Sequence, residues 1–293
     1  MQLRHIPVLM QELEECICVK PGARVIDATL DGGGHTNMLL QKVGPSGCVL
    51  GIEQDPDMIR FIAARKRNDA NLHKLIIADG NFRDIADIAK RHYCVPANAV
   101  LFDLGISRWH FLESGRGFSF TNADAPLSMD ISNKDSYAAA KFINGASKQE
   151  LEAILRKYGE MRGATAFAKR IIEARRKKPF RTVGDLLALV PARRGKINPA
   201  TKIFQALRIA VNDELGALED GLVGAWNVLS AGGQCAVISY HSLEDRIVKQ
   251  FFKTKAQSCE GILATKKPII PSREEILRNP SARSAKLRII QKL

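Results

Sequence analysis

Residues 24–53 constrain the fold more than any other part of the chain. Val25-Ile26 leads into Asp27-Ala28-Thr29-Leu30-Asp31-Gly32-Gly33-Gly34-His35, and Met38-Leu39-Leu40 follows with helical spacing. The pattern predicts a strand, a glycine turn and a helix start. Three successive glycines strip the turn of side chains and let a ligand approach the backbone. The helix behind it offers free N–H groups and a positive dipole end. Glu53 ends the next apolar run, Cys48-Val49-Leu50-Gly51-Ile52, twenty residues after Gly33. An acid at that offset is placed to hydrogen-bond ribose hydroxyls, so the pair implies a nucleoside ligand.

The first hundred residues continue the rhythm. Strands are predicted at 24–30, 48–53, 74–78 and 99–104, with helices at 35–43, 56–67 and 81–91. Such alternation implies a parallel sheet with right-handed crossovers. After Asp103 the rhythm stops. Residues 107–202 carry helical patterns and no convincing buried strand. A long helix is predicted from Ile203 to Leu229, a buried strand from Cys235 to Tyr240, an N-cap at Ser242, and a last strand near Lys286–Ile290. The reading is an α/β domain, 1–106 with 203–293, interrupted by a helical insertion, 107–202.

Charge locates a partner. Of 44 Lys and Arg against 31 Asp and Glu, 15 basic and only 3 acidic residues lie between Arg156 and Arg208, and 12 against 3 lie from Arg246 to the end. Clustering of this kind favours a polyanion, because neutralising phosphates releases counterions. Arg175 to Lys178 and Arg193-Arg194 are the densest runs, and Trp109 is a candidate for stacking on a base or for the core. No segment has the length of a spanning helix. Met1 to Pro7 lacks the apolar core of a signal peptide. The six cysteines have no CxxC spacing and fit a reduced, cytoplasmic protein. The scattered histidines form no metal motif, so no metal is expected.

A glycine turn with a distant acid serves nicotinamide enzymes and S-adenosylmethionine methyltransferases alike. The dinucleotide fingerprint ends on Gly or Ala, whereas the run from Gly32 reaches Asn37, which disfavours a nicotinamide oxidoreductase. Val100-Leu101-Phe102-Asp103-Leu104-Gly105-Ile106-Ser107 adds a carboxylate at the carboxyl end of the fourth strand, where open α/β sheets bind ligands.

With that element in place, the chain resembles the MraW (RsmH) family nearly end to end. The resemblance runs through His5-Ile6-Pro7-Val8-Leu9, the glycine turn with His35, Gln54-Asp55-Pro56 and Asp103-Leu104-Gly105-Ile106-Ser107. It continues through Arg116-Gly117-Phe118-Ser119-Phe120, Phe204-Gln205-Ala206-Leu207-Arg208-Ile209, His241-Ser242-Leu243-Glu244-Asp245-Arg246 and Ala282-Arg283-Ser284-Ala285-Lys286-Leu287-Arg288. It implies a class I, Rossmann-like S-adenosylmethionine methyltransferase sheet with an inserted all-helical RNA-recognition domain. The implied reaction is methylation of the exocyclic N4 of a cytidine in 16S (small-subunit) rRNA near the decoding centre. The implied partners are that rRNA or the small subunit, with the chain a monomer or homodimer and no membrane.

The resemblance also implies site residues. Gly33, Gly34 and His35 match the residues that meet the methionine moiety. Glu53 stands where the family has Asp on the ribose, and Phe82 lies against the adenine. Asp103 matches the acid after the fourth strand; because the reacting amine needs an acceptor for its growing charge, Asp103, or the carbonyl of Leu104 beside it, is the candidate catalytic group. His110 stands where the family has Gln. Three departures mark this chain: Asp31 in place of a turn glycine, Ser107-Arg108-Trp109-His110 in place of Ser-Ser-x-Gln, and Ser128 and Asp130 in place of Asp and Arg. The last two raise the alternative of a catalytically weak RNA-binding relative.

Overall fold

The apolar runs pair into one seven-stranded sheet in the computed structural model, which describes residues 6–192 and 198–293. The strands are β1 (Arg24–Asp27), β2 (Cys48–Glu53), β3 (Leu75–Asp79), β4 (Ala97–Asp103), β5 (Leu229–Ser239), β6 (Gly261–Leu263) and β7 (Lys286–Lys292). Their order is β3-β2-β1-β4-β5-β7-β6. The five strands from β3 to β5 are parallel, and β7 runs antiparallel to both of its neighbours. This is the Rossmann-like class I sheet. Its strand order reverses between β1 and β4, and a reversal of that kind opens a crevice at the carboxyl ends of the strands.

Each central strand buries both faces, as parallel sheets require. Ile26, Leu50, Val100, Phe102 and Val237 turn to one apolar layer, with Leu218, Leu222 and Phe252. Their neighbours Val25, Val49, Leu101, Ala236 and Ile238 turn to the other, with Leu13, Leu39 and Ile62. Alternation along a strand therefore feeds two cores rather than one core and solvent.

The chain divides into two compact units, Met1–Ser107 with Leu215–Leu293, and Arg108–Glu214. The second unit takes in residues 203–214, which the sequence pattern assigns to the sheet domain. Among its described residues only helices and an isolated bridge between Pro126 and Thr182 are regular. Its longer helices run from Lys148 to Lys157, Ala164 to Lys177 and Pro199 to Asn212. The first begins with a Ser147–Glu150 capping box. Arg193-Arg194 lies outside the described residues.

Two local expectations are corrected. The long helix predicted from Ile203 to Leu229 is two helices, Pro199–Asn212 and Glu214–Val228, parted by Asp213 in a left-handed conformation (φ 47°) whose N–H closes on the Ile209 carbonyl. The cap of the helix Ser242–Gln257 is His241, not Ser242. His241 Nδ1 accepts the Glu244 N–H, and the Glu244 carboxylate accepts the N–H groups of Tyr240 and His241. The short edge strand β6 and the helix Met10–Cys16 were not foreseen.

Candidate functional site

The carboxyl ends of β2 and β4 carry the acids singled out from the sequence, Glu53 and Asp103, and backbone pairing sets where each one points. Leu30 N–H bonds the Ile52 carbonyl and Gly33 N–H bonds Leu30, folding the turn back over β2. Gly51 permits this closeness, since a Cβ there would meet the Leu30 methyls at 2.7 and 3.0 Å. Arg65 Nη1 donates to the Gly32 carbonyl at 2.8 Å. Gly33 adopts φ +75°, which favours glycine. Gly34 has a different reason. The space a Cβ would fill is occupied by the Pro7 ring, so the chain itself, rather than a ligand, requires glycine at that position.

Glu53 is anchored by three backbone donors. Oε2 accepts from Asp31 N–H at 2.9 Å, and Oε1 accepts from Gln54 and Asp55 N–H at 2.8 Å each. A carboxyl group has about four hydrogen-bonding directions, so one remains for a ligand hydroxyl, as an acceptor when Glu53 is ionised and as a donor when it is protonated. Burial, followed by the neighbouring charge of Asp31, pushes its carboxyl up to about 8. The backbone donors pull the other way without overcoming burial.

His35 and Asp103 meet. His35 Nδ1 lies 3.3 Å from Asp103 Oδ2, and His35 Nε2 lies 3.0 Å from the Val8 carbonyl oxygen. Both nitrogens of this buried ring are therefore engaged within the protein. Burial alone would lower the His35 pKa, but the hydrogen bond and charge of Asp103, with help from Asp27, raise it above the ordinary value. Asp103 Oδ1 accepts from the Tyr240 hydroxyl at 2.7 Å, and Asp103 N–H donates to Thr29 Oγ1 at 2.7 Å. Burial and the Asp103 charge raise the Tyr240 phenol well above its usual range. Behind this group, Asp27 accepts from Thr36 Oγ1 at 2.6 Å and from Thr29 N–H at 3.2 Å. Burial lifts its carboxyl to about 6 despite those donors.

Sequence reasoning missed Tyr240, Asp27, Thr29 and Thr36. Two signals existed. Asp27 is an acid at the end of the apolar run that forms β1, and Tyr240 follows β5 at the sheet end where Asp103 closes β4. Phe82 lies in a 3₁₀ turn after β3, edge-on to Phe102 at 5.6 Å and close against Gly221, so part of its ring belongs to the core. Beside it, Asn81 donates to Gln54 Oε1 at 2.8 Å and links the ends of β2 and β3.

The remaining named residue, His110, lies in the other unit. It is buried between Trp109 and Phe118, with ring centroids 5.2 and 5.3 Å away. Trp109 is 9% exposed and carries the Arg116 guanidinium over its ring at 5.3 Å, which is the core role rather than the base-stacking one. Asp130, one of the departures, accepts from Ser132 N–H and Oγ and from the N–H groups of Lys134 and Asp135. Ser128 Oγ donates to the Asp135 carbonyl at 2.7 Å. These two residues hold the 131–135 loop.

In the helix Ala164–Lys177, Lys169, Arg170, Arg176 and Lys177 are exposed on one face, while Phe167, Ala168 and Ile171 are buried on the other. Arg175 differs from its neighbours. It donates to the carbonyls of Ile143 and Ala146 at the end of the helix Ala138–Gly145. Among the described residues no helix is long and apolar enough to cross a membrane.

Comparison with known proteins supplies a family. Residues 2–293 match the model described as the MraW methylase family. A Symbiobacterium thermophilum protein named Ribosomal RNA small subunit methyltransferase H is 42% identical over 314 residues, covering 100% of this chain and 98% of its own. Proteins of the same name from Coprothermobacter proteolyticus and Thermomicrobium roseum are each 42% identical, covering 99% of this chain and 96% and 94% of their own lengths.

Proposed function

The chain belongs to the MraW methylase family and is a methyltransferase, and on that footing we propose that it methylates the exocyclic N4 of a cytidine in small-subunit (16S) rRNA, near the decoding centre, with S-adenosylmethionine as donor. The observation that carries this reading is the Asp103 carboxylate. It stands at the carboxyl end of β4, held from both oxygens, at the end of the sheet where the glycine turn and Glu53 also lie.

The site fits the donor. Glu53 keeps one hydrogen-bonding direction for a ribose hydroxyl, the Asn81–Phe82 turn flanks it, and acids near the turn suit a cation. S-adenosylmethionine supplies there a methyl group on a positively charged sulfur. The chain's own residues do the rest. The amino nitrogen of cytosine is a weak nucleophile because its lone pair is delocalised into the ring. An acceptor fixed beforehand can bond one amino hydrogen and stabilise the positive charge that grows on the nitrogen. Asp103, with the carbonyl of Leu104 beside it, has that task, and Asp103 also takes the proton the nitrogen sheds. A fixed acceptor costs no reorganisation at the moment of reaction, and alignment of the reactants supplies much of the remaining acceleration.

The RNA partner is proposed to meet the exposed basic face of the helix Ala164–Lys177. The target base must be unpaired or turned out of its stack for its amino group to be reached. Ribosomal subunits place the work in the cytoplasm. The alternative of an inert relative rested on Ser128 and Asp130. Their bonds to the 131–135 loop give both a local structural task.

Incubation with methyl-labelled donor and unmethylated small subunits, followed by digestion to nucleosides, tests the reading. N4-methylcytidine is the expected product, and Asp103→Ala should abolish it. Label on another atom or in other RNA, or transfer by Asp103→Ala near the wild-type rate, would refute it.

A further inference from the structure

The His35 ring has one nitrogen against a carbonyl and the other against a carboxylate. The Val8 carbonyl has only lone pairs, so the 3.0 Å bond requires a hydrogen on Nε2. A neutral ring carrying that hydrogen would turn a bare lone pair from Nδ1 toward Asp103 Oδ2, 3.3 Å away. Two acceptors facing each other repel, and in a buried site water does not screen them. His35 is 5% exposed. A second hydrogen between ring and carboxylate turns the repulsion into a charge-assisted bond. Asp27 and Thr29 at the end of β1 and Tyr240 after β5 lie beside the pair, and the charges of Glu244 and Asp31 reach Tyr240. Among these described residues, all the ionisable ones besides His35 are acids or a phenol, and their field favours a cation on the ring.

We propose that His35 is an imidazolium sharing its second proton with Asp103, and that His35 and Tyr240 are positioning residues that together hold this carboxylate in one orientation. Its Oδ2 is tied to a ring fixed by Val8, and its Oδ1 to the Tyr240 hydroxyl at 2.7 Å. Tyr240 is itself fixed, because its ring packs against Gly105, where a Cβ would come within 3.2 Å of it, and its N–H is bonded to Glu244. The carboxylate cannot rotate without breaking one of these bonds. This differs from a histidine that contacts the methionine moiety of the donor, since both polar atoms of the ring face protein. The consequence for rate rests on the reaction proposed above, whereas the protonation of His35 does not.

Protein labelled with ¹⁵N-histidine tests the first half without turnover. His35 is assigned by comparison with His35→Gln, and its two ring nitrogens are followed from pH 5 to pH 10. Both should remain protonated at pH 7 in the wild type, where an ordinary histidine is mostly neutral. In Asp103→Asn the ring should become neutral at that pH, with hydrogen on Nε2 alone. A neutral wild-type ring at pH 7 overturns the proposal by itself, whether or not the Asn variant folds. Tyr240→Phe tests the second half. It should keep the His35 imidazolium and leave KM for the donor within about twofold. It should lower kcat at least about tenfold, the effect of one lost bond to a charged group, and should move the acid limb of the pH–rate profile. An unchanged kcat and profile would refute the positioning role. If the wild type transfers no methyl to small subunits, the proposed reaction falls. The nitrogen spectra then decide alone: a protonated ring that depends on Asp103 upholds the clamp, and a neutral ring overturns it.

Discussion

Gly34→Ala should destabilise the protein through Pro7 rather than through any ligand. A Cβ at Gly34 would stand within 3 Å of Pro7 Cγ and 3.3 and 3.4 Å from its Cβ and Cδ. Restoring ordinary carbon contact of about 3.5 Å requires the ring to retreat by roughly 1 Å. A proline ring can shift only its pucker, because φ is locked, and its Cβ and Cδ are also in tight contact, so the backbone of residues 6–8 must take up part of the movement. Val8 lies in that segment, and its carbonyl holds His35 at 3.0 Å. Overpacking costs about 1–3 kcal/mol, and weakening the His35 bond adds about 1 kcal/mol. Replacing glycine in a helix returns up to about 1 kcal/mol. The net is a loss of about 1–3 kcal/mol, measurable by urea unfolding. Pro7→Ala removes the ring atoms and should restore much of that loss when combined with Gly34→Ala. The double-mutant cycle should show a coupling of about 1–2 kcal/mol, within the range for residues in contact. Additive effects, or a fully stable Gly34→Ala that has lost donor binding, would refute the reasoning and return the glycine to the ligand.

Glu53 makes stability fall with rising pH. Its folded carboxyl sits near 8 against an ordinary 4.5, so between those values the native state holds a proton that the unfolded chain has released. The stabilisation is complete below about pH 4.5 and is lost as pH rises through 8, amounting to on the order of 2–5 kcal/mol. Urea unfolding at pH 5 and pH 8.5 should show this slope in the wild type and a shallower one in Glu53→Gln; parallel slopes would contradict it. On the insertion, Lys169→Glu, Arg170→Glu, Arg176→Glu and Lys177→Glu should each weaken binding to small-subunit RNA and reduce the salt slope by about 1. Donor affinity, measured by calorimetry, should be unchanged, and RNA binding insensitive to all four would remove this face from the interface. Asp130→Ala should free four donors in the 131–135 loop and cost about 1–3 kcal/mol. Faster hydrogen exchange at Ser132, Lys134 and Asp135 is the expected sign, and unaltered protection there would show that Asp130 does not hold the loop.

The parallel sheet and the acids at its edge were legible because both are local signals. A strand buried on two faces reads as a short apolar run, and β1, β2, β4 and β5 each do so. Glu53 and Asp103 stand out because each is a charge closing such a run. The helical character of the inserted segment was legible from spacing, and Ser147 and Thr182 announce their capping boxes within four residues. What escaped depends on partners beyond that range. Asp213 breaks a run whose apolar pattern continues past it. His241 takes the cap from Ser242, because Glu244 bonds two successive N–H groups of the incoming strand.

The sequence by itself determined which residue types stand at the ends of the strands, since a chain must bury its apolar runs and expose the turns between them. Only the tertiary structure decided what those residues do to one another. Val8, His35, Asp103 and Tyr240 are separated by up to 232 positions, from 8 to 240, and meet because crossover connections bring β1, β4 and β5 side by side. Hydrogen-bond partners follow from strand register and side-chain direction. Neither is encoded in the few neighbouring residues that fix local conformation.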